Sequence, residues 1–207
     1  MLIEIPVNDS VKPICQPYRR VPIPLEEKVE LKIKELLKKD IIEEVHGPSS
    51  WVSPIFPILK EDGSLRLCVD MRRANAAIKR ENHPLPTMDQ LLPKIRNAKL
   101  FSKLDIKDAF HHIVLHPDSR FITTFITNKG LFRYKRMMFG ITCAPEIFQK
   151  TLERILLGCE GVINFIDDIL IYGKDLKEHD NRLNKVLQVL EQYNVVLRPE
   201  KCVYIES

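Results

Sequence analysis

Three carboxylates stand where this sequence could do chemistry. Asp167-Asp168 lies between two apolar runs, residues 162–166 and 169–172, and Asp105 ends a third, residues 100–105. An Asp-Asp pair in a turn is ordinarily structural, because the Asp side chain bonds its own backbone there. Asp105 changes that reading. An apolar strand ending in Asp is the natural neighbour of the Asp167 hairpin. Carboxylates gathered at strand ends repel, and a proton or a bound cation must relieve the repulsion. Hard divalent ions take one or two carboxylates together with waters and substrate phosphates. Two such ions about 3.5–4 Å apart stabilise both the attacking and the leaving oxygen of an in-line phosphoryl displacement. The set therefore suits nucleotidyl transfer better than glycosidase or protease chemistry.

The surrounding elements must bring these residues together. Residues 100–105 alternate, with Leu100, Ser102 and Leu104 on one side of a strand and Phe101, Lys103 and Asp105 on the other. The strand runs into a helical-looking stretch at 107–111. Residues 121–127 and 131–136 read as strands joined across Asn128-Lys129-Gly130. Pro145 sits at a favoured first-turn position of a helix bearing Phe148, Leu152, Ile155 and Leu156, which Gly158 stops. Asp175, with Glu178 three residues on, caps a long helix whose apolar face is Leu183, Val186, Leu187, Leu190 and Tyr193. Upstream, Pro6, Pro13, Pro17, Pro22 and Pro24 imply an extended arm over 1–24. Val29, Ile33, Leu36 and Leu37 give an amphipathic helix over 25–39. Residues 55–60 and 65–70 flank Asp62-Gly63 as a hairpin, with Pro57 marking an edge or a bulge. A short helix over 87–95 is capped by Thr87 and disturbed by Pro93. Helices on one face of a mostly antiparallel sheet make an α+β fold, compatible with a split βαβ core of ferredoxin type.

Composition narrows the classes. A net charge of +4 over 207 residues points only weakly to nucleic acid. A phosphate backbone needs local cations, which Arg133-Tyr134-Lys135-Arg136 and Arg72-Arg73 supply. The five cysteines are odd in number and have no CxxC spacing. With no signal-like N-terminus they imply reduced thiols in an intracellular setting. No apolar stretch is long enough to span a bilayer, so no membrane partner is expected. His111, His112 and His116 lack HExxH spacing and read as structural.

Four blocks then carry a resemblance. They are Leu65-Arg66-Leu67-Cys68-Val69-Asp70-Met71-Arg72-Arg73-Ala74-Asn75, Phe101-Ser102-Lys103-Leu104-Asp105-Ile106-Lys107-Asp108-Ala109-Phe110-His111-His112-Ile113, Phe139-Gly140-Ile141-Thr142-Cys143-Ala144-Pro145-Glu146-Ile147-Phe148-Gln149, and Phe165-Ile166-Asp167-Asp168-Ile169. In this order, with Tyr18-Arg19-Arg20-Val21-Pro22 and His83-Pro84-Leu85-Pro86-Thr87 between them, the chain resembles the reverse transcriptase domain of Ty3/Gypsy-type long-terminal-repeat retrotransposon Pol polyproteins.

The resemblance implies a polymerase right-hand fold: an arm over 1–24, fingers with part of the palm over 25–99, and a ferredoxin-like palm over 100–207. A fingers hairpin near 121–136 would interrupt the palm, and the chain would stop before the primer grip and thumb. It implies RNA-directed DNA polymerase activity with two Mg²⁺ ions, or Mn²⁺, held by Asp105, Ile106, Asp167 and Asp168. Lys60 and Arg66 would grip the triphosphate of a dNTP, and cations there make physical sense for charge-assisted bonds. Asp108 and Ala109 would offer backbone N–H groups to the same phosphates. Phe110 would exclude a 2′-hydroxyl, Phe139 and Gly140 would shape the nucleotide and template pocket, and Lys201 would protonate the leaving pyrophosphate. The implied partners are an RNA or DNA template with its primer and the protease, ribonuclease H and integrase segments of a polyprotein. The implied location is cytoplasmic, in a virus-like particle, or nuclear. The chain departs from the pattern at Met138, where many relatives have Pro, at Phe165, where Tyr is common, and at Cys143, where many have Asn. Two other readings stay open. One is a catalytically silent nucleic-acid-binding remnant; every catalytic carboxylate is retained against it, while a fragment without a thumb would hold primer–template poorly. The other is an RNA-dependent RNA polymerase, which Phe110 argues against.

Overall fold

Period-two alternation and helical stripes become elements much as the sequence implies. The computed structural model describes residues 2–61, 63–80, 83 and 86–206. Asp62 of the expected turn, and Pro84 and Leu85 of the segment before the short helix, lie outside the described residues. In chain order the elements are β1 (Leu2–Ile3), α1 (Ile23–Lys38), β2 (Ile42–Glu44), β3 (Ser53–Leu59), β4 (Leu65–Val69), α2 (Arg72–Asn75), α3 (Met88–Ile95), β5 (Leu100–Asp105), β6 (Val114–Leu115), β7 (Phe125–Thr127), β8 (Gly130–Tyr134), α4 (Ala144–Ile155), β9 (Val162–Phe165), β10 (Asp168–Gly173), α5 (Leu176–Gln192) and β11 (Val203–Glu206). Helices and mainly antiparallel sheets make the α+β class expected, in keeping with a polymerase fingers-and-palm fold.

The chain divides into two compact units. One comprises Met1–Arg80 with Phe110–Ala144, the other Glu81–Ala109 with Pro145–Ser207. The first holds a five-stranded sheet ordered β2-β8-β7-β3-β4. Helix α1 buries Val29, Ile33 and Leu36, the apolar stripe of the sequence. Pro57 is tolerated because β3 meets β7 only at Ser53 and Pro54; from Ile55 onward it pairs with β4 alone.

The stretch 121–127 corrects an expectation. Only Phe125–Thr127 is strand; Pro117–Thr123 is a 3-10 turn. The β-branched residues that suggested extension instead bond back along the chain. Thr123 Oγ1 donates to the Arg120 carbonyl at 2.7 Å, and Thr124 Oγ1 donates to that of Phe121 at 2.7 Å.

The second unit is a four-stranded antiparallel sheet, ordered β11-β5-β10-β9. Its two faces differ. Leu104, Ser102, Ile169 and Ile171 share one face and are almost wholly buried. Helix α5 packs there, through a 2.9 Å bond between Ser102 Oγ and His179 Nε2. Gly173 permits the close approach, since a Cβ on it would stand 2.7 Å from the His179 backbone nitrogen. Burying an Ile side chain contributes about 1.5–3 kcal/mol, so the closed face fixes the register. The opposite face then carries Lys103, Asp105 and Asp168 by alternation alone. Asp175 caps α5 by accepting the Glu178 N–H at 2.9 Å. Thr87 and Gln90 form the capping box of α3.

Candidate active site

The acidic residues lie at one end of the β5–β10 ladder. Asp105 and Asp168 are direct partners across it, and the Ile106 N–H donates to the Asp167 carbonyl at 2.9 Å. This places three carboxylate-bearing residues, 62 and 63 positions apart along the chain, at adjacent backbone positions. Asp105 is 9% exposed, and its Oδ1 is buried with no hydrogen-bond partner among the described residues. Arg198 Nη1 lies 3.3 Å from that oxygen, close enough for attraction but not aligned as a hydrogen bond. Asp168 Oδ2 pairs with Lys103 Nζ at 3.0 Å. Among the described residues no three His, Cys, Asp or Glu side chains are gathered into a ready cation cage.

A buried carboxylate oxygen that accepts no hydrogen bond keeps lone pairs open to a cation, and Arg198 meets its charge without filling them. An all-oxygen set at a strand end also fits hard divalent ions better than softer metals. On both counts the residues fit the metal role that the sequence suggests.

Helix α4 holds the hairpin in shape. Gln149, 1% exposed, donates from Nε2 to the Asn164 carbonyl at 3.1 Å and to Glu153 Oε1 at 2.9 Å. Its Oε1 accepts the Ile166 N–H at 2.8 Å. Ile166 has φ of 53°, an uncommon conformation for a β-branched residue. The amide thus supports a strained residue immediately before Asp167. Sequence reasoning did not single out Gln149. Its signal was a polar residue three and seven positions before Leu152 and Leu156, within the buried stripe. Gln149→Leu should lower stability by about 1–3 kcal/mol, the penalty of orphaned backbone groups, as read by urea denaturation. An unchanged midpoint would show that the hairpin holds itself.

The segment 196–202 closes around Asp105. The Lys107 N–H donates to the Val196 carbonyl, and the Arg198 N–H donates to that of Asp105, both at 2.9 Å. Lys201, the expected acid, is exposed in the 3-10 turn Pro199–Lys201. The helix expected over 107–111 is a four-residue 3-10 turn, Ala109–His112, preceded by Asp108 with φ of 49°. Asp168 and Lys103 are both about half exposed, so that ion pair adds little stability.

In the first unit, three expected nucleotide residues meet. The Phe110 ring stands edge-on to Phe139 with centroids 4.7 Å apart, and the Arg66 guanidinium lies 5.5 Å from the centre of the Phe139 ring. Phe139 is 49% exposed, an unusual state for a large aromatic, whereas Phe110 is 7% exposed. Lys60 flanks the β3–β4 turn, its N–H donating to the Ser64 carbonyl at 2.9 Å. Gly140 has φ of 97°, and its carbonyl accepts the Asn75 Nδ2 at 2.7 Å. A cleft of about 470 Å³ lies there, lined by residues including Arg19, Phe56, Asp70, Met71, Asn75 and Gly140.

Asp70 anchors that cleft. Its carboxylate accepts from Arg72 Nε at 2.8 Å and Nη2 at 2.7 Å, with Arg19 3.6 Å away. The Arg72 hydrogen bonds hold the carboxyl below its ordinary range against the opposing effect of burial. A depressed carboxylate contributes stability that is full above the ordinary carboxylate pKa and is lost as pH falls through the lowered value. Thermal unfolding of the wild type should therefore weaken more steeply than that of Asp70→Asn below about pH 4. Parallel curves would contradict this.

Residues 58–207 match the family described as reverse transcriptase (RNA-dependent DNA polymerase), and the chain belongs to that family. Over 195 residues it is 33% identical to the transposon Tf2-3 polyprotein of Schizosaccharomyces pombe, covering 92% of this chain and 14% of that polyprotein. It is 30% identical to the Pol polyprotein of Drosophila melanogaster transposon 297, covering 98% of this chain and 19% of that protein. These relatives place it with the Ty3/Gypsy-type retrotransposon enzymes, as its four blocks imply. The chain spans less than a fifth of either relative's length. In fold it is similar to the foamy viral protease-reverse transcriptase solved in complex with an RNA/DNA hybrid, with a TM-score of 0.84 and 21% identity over 97% of this chain and 27% of that one. Among the described residues no helix is long and apolar enough to cross a membrane.

Proposed function

We propose that this chain performs RNA-directed DNA synthesis, with residues 100–207, interrupted by a fingers hairpin near 121–136, serving as the palm. The primer 3′-hydroxyl loses its proton to solvent and attacks the α-phosphorus of a dNTP, a new P–O bond forms, the bond to the β-phosphate oxygen breaks, and pyrophosphate leaves. What supports this reading most is the pairing of Asp105 with Asp168 beside the Asp167 turn, with an Asp105 oxygen buried and without a hydrogen-bond donor among the described residues. Asp105, Asp167 and Asp168 would hold two Mg²⁺ ions, or Mn²⁺, with Ile106 able to offer only its backbone oxygen. Bound there, the ions would stabilise the attacking and leaving oxygens of the displacement.

The chain's own side chains do the rest. Arg66, with Lys60, orients the triphosphate through charge-assisted bonds. By the resemblance, the backbone N–H groups of Asp108 and Ala109 would serve the triphosphate as donors. Phe110 fills the space a 2′-hydroxyl would need. Phe139 and Gly140 bound the base and template side, and Lys201 delivers a proton to pyrophosphate. The foamy viral neighbour was solved with an RNA/DNA hybrid, and we assign a primed template of that class to this chain, in an intracellular setting.

Primer extension on an RNA template tests the reading, with radiolabelled dNTP and Mg²⁺. Incorporation is the expected result. Tight hybrid binding without incorporation would support a silent nucleic-acid-binding protein. GTP used as readily as dGTP would support an RNA polymerase.

A further inference from the structure

Arg198 approaches Asp105 twice. Its backbone N–H donates to the Asp105 carbonyl at 2.9 Å, and its Nη1 lies 3.3 Å from Oδ1. The side chains are 26% and 13% exposed, so the pair is screened far less than a surface pair. Yet Oδ1 accepts no hydrogen bond among the described residues. Arg198 therefore neutralises the carboxylate without using its lone pairs. A guanidinium and a divalent ion held against one oxygen repel each other strongly, so the guanidinium there opposes metal binding. Lys103 bears on Asp168 in a parallel way, but with both partners about half exposed it is easily moved.

We propose that Arg198 is a resident counter-cation of Asp105 that a divalent ion must displace, so that it sets the metal concentration the site requires. The assignment rests on reading the carboxylates as a metal site. It makes Arg198 a positioning residue: it holds the Asp105 carboxylate in place by backbone bond and ion pair, and then yields. Arg198 is the N-cap of the 3-10 turn Pro199–Lys201, so it and the expected acid Lys201 share one short segment.

The test uses Mn²⁺ alone as probe, with binding followed by electron paramagnetic resonance on the full chain. Arg198→Met should bind Mn²⁺ about tenfold more tightly than the wild type, the effect of removing one competing charge of intermediate burial. Arg198→Lys should stay near the wild type. Lys177→Met, which removes the same charge from the exposed start of α5, should not shift affinity. In EDTA, Arg198→Met should unfold at lower temperature than the wild type, and Mn²⁺ should raise its Tm by more. Arg198→Gln serves the same comparison where the Met variant fails to fold. Equal affinity of Arg198→Met (or Arg198→Gln) and the wild type, or an equal gain in Lys177→Met, would overturn the proposal. Failure of the underlying metal reading looks different: Asp105→Asn would then bind Mn²⁺ as well as the wild type does.

Discussion

Asp105→Asn should leave the chain folded and lower dNTP incorporation by about a thousandfold or more. The estimate follows from the several kcal/mol of charge stabilisation that metal ligation supplies, at about 1.4 kcal/mol per decade of rate. Asn keeps the shape and one acceptor oxygen but loses the charge that makes the site attractive to a hard cation. Folding should survive because the buried strength of the sheet lies on the other face, in Leu104, Ile169 and Ile171. Circular dichroism and a thermal melt check the fold, and single-nucleotide primer extension measures the rate. A variant that folds and retains more than about a tenth of wild-type activity would remove Asp105 from the chemistry.

The second large effect concerns sugar selection. Phe110→Val should raise the relative use of rNTP over dNTP by roughly 10–200-fold, the range a site gains or loses through a missing hydrophobic increment. Phe110 is 7% exposed and braced edge-on by Phe139, so its ring is fixed and has little freedom to move away from a hydroxyl. Valine is preferred to alanine because emptying a buried aromatic site costs about 3–5 kcal/mol and would confuse selectivity with instability. The ratio of kcat/KM for dGTP and GTP reads the effect. An unchanged ratio would make Phe110 an ordinary core aromatic that supports Phe139.

Much of this was legible in the residues because it is local. The alternation of 100–105 placed Lys103 and Asp105 on one side and Leu100, Ser102 and Leu104 on the other, and the sheet keeps that division. Asp175 and Glu178 announced the start of α5, and the cap is present. The resemblance supplied Arg66, Phe110 and Phe139 separately. Their contact with one another needs the fold, since 73 positions separate Arg66 from Phe139. The illegible parts depend on tertiary partners or on side chains competing with the backbone. Residues 121–123 have strand-like types, yet Thr123 and Thr124 bond to carbonyls three residues back and hold a 3-10 turn. Arg198 looked like any charged residue near a chain end. Nothing local marks it as the companion of Asp105, 93 positions earlier.

The carboxylates' joint possession of metal can be seen directly. Anomalous diffraction from crystals of the chain soaked in Mn²⁺ should show peaks within ligand distance of both Asp105 and Asp167, with the Arg198 guanidinium swung away from Oδ1. Mn²⁺ density found elsewhere, with Asp105 still against Arg198 at saturating metal, would contradict the account.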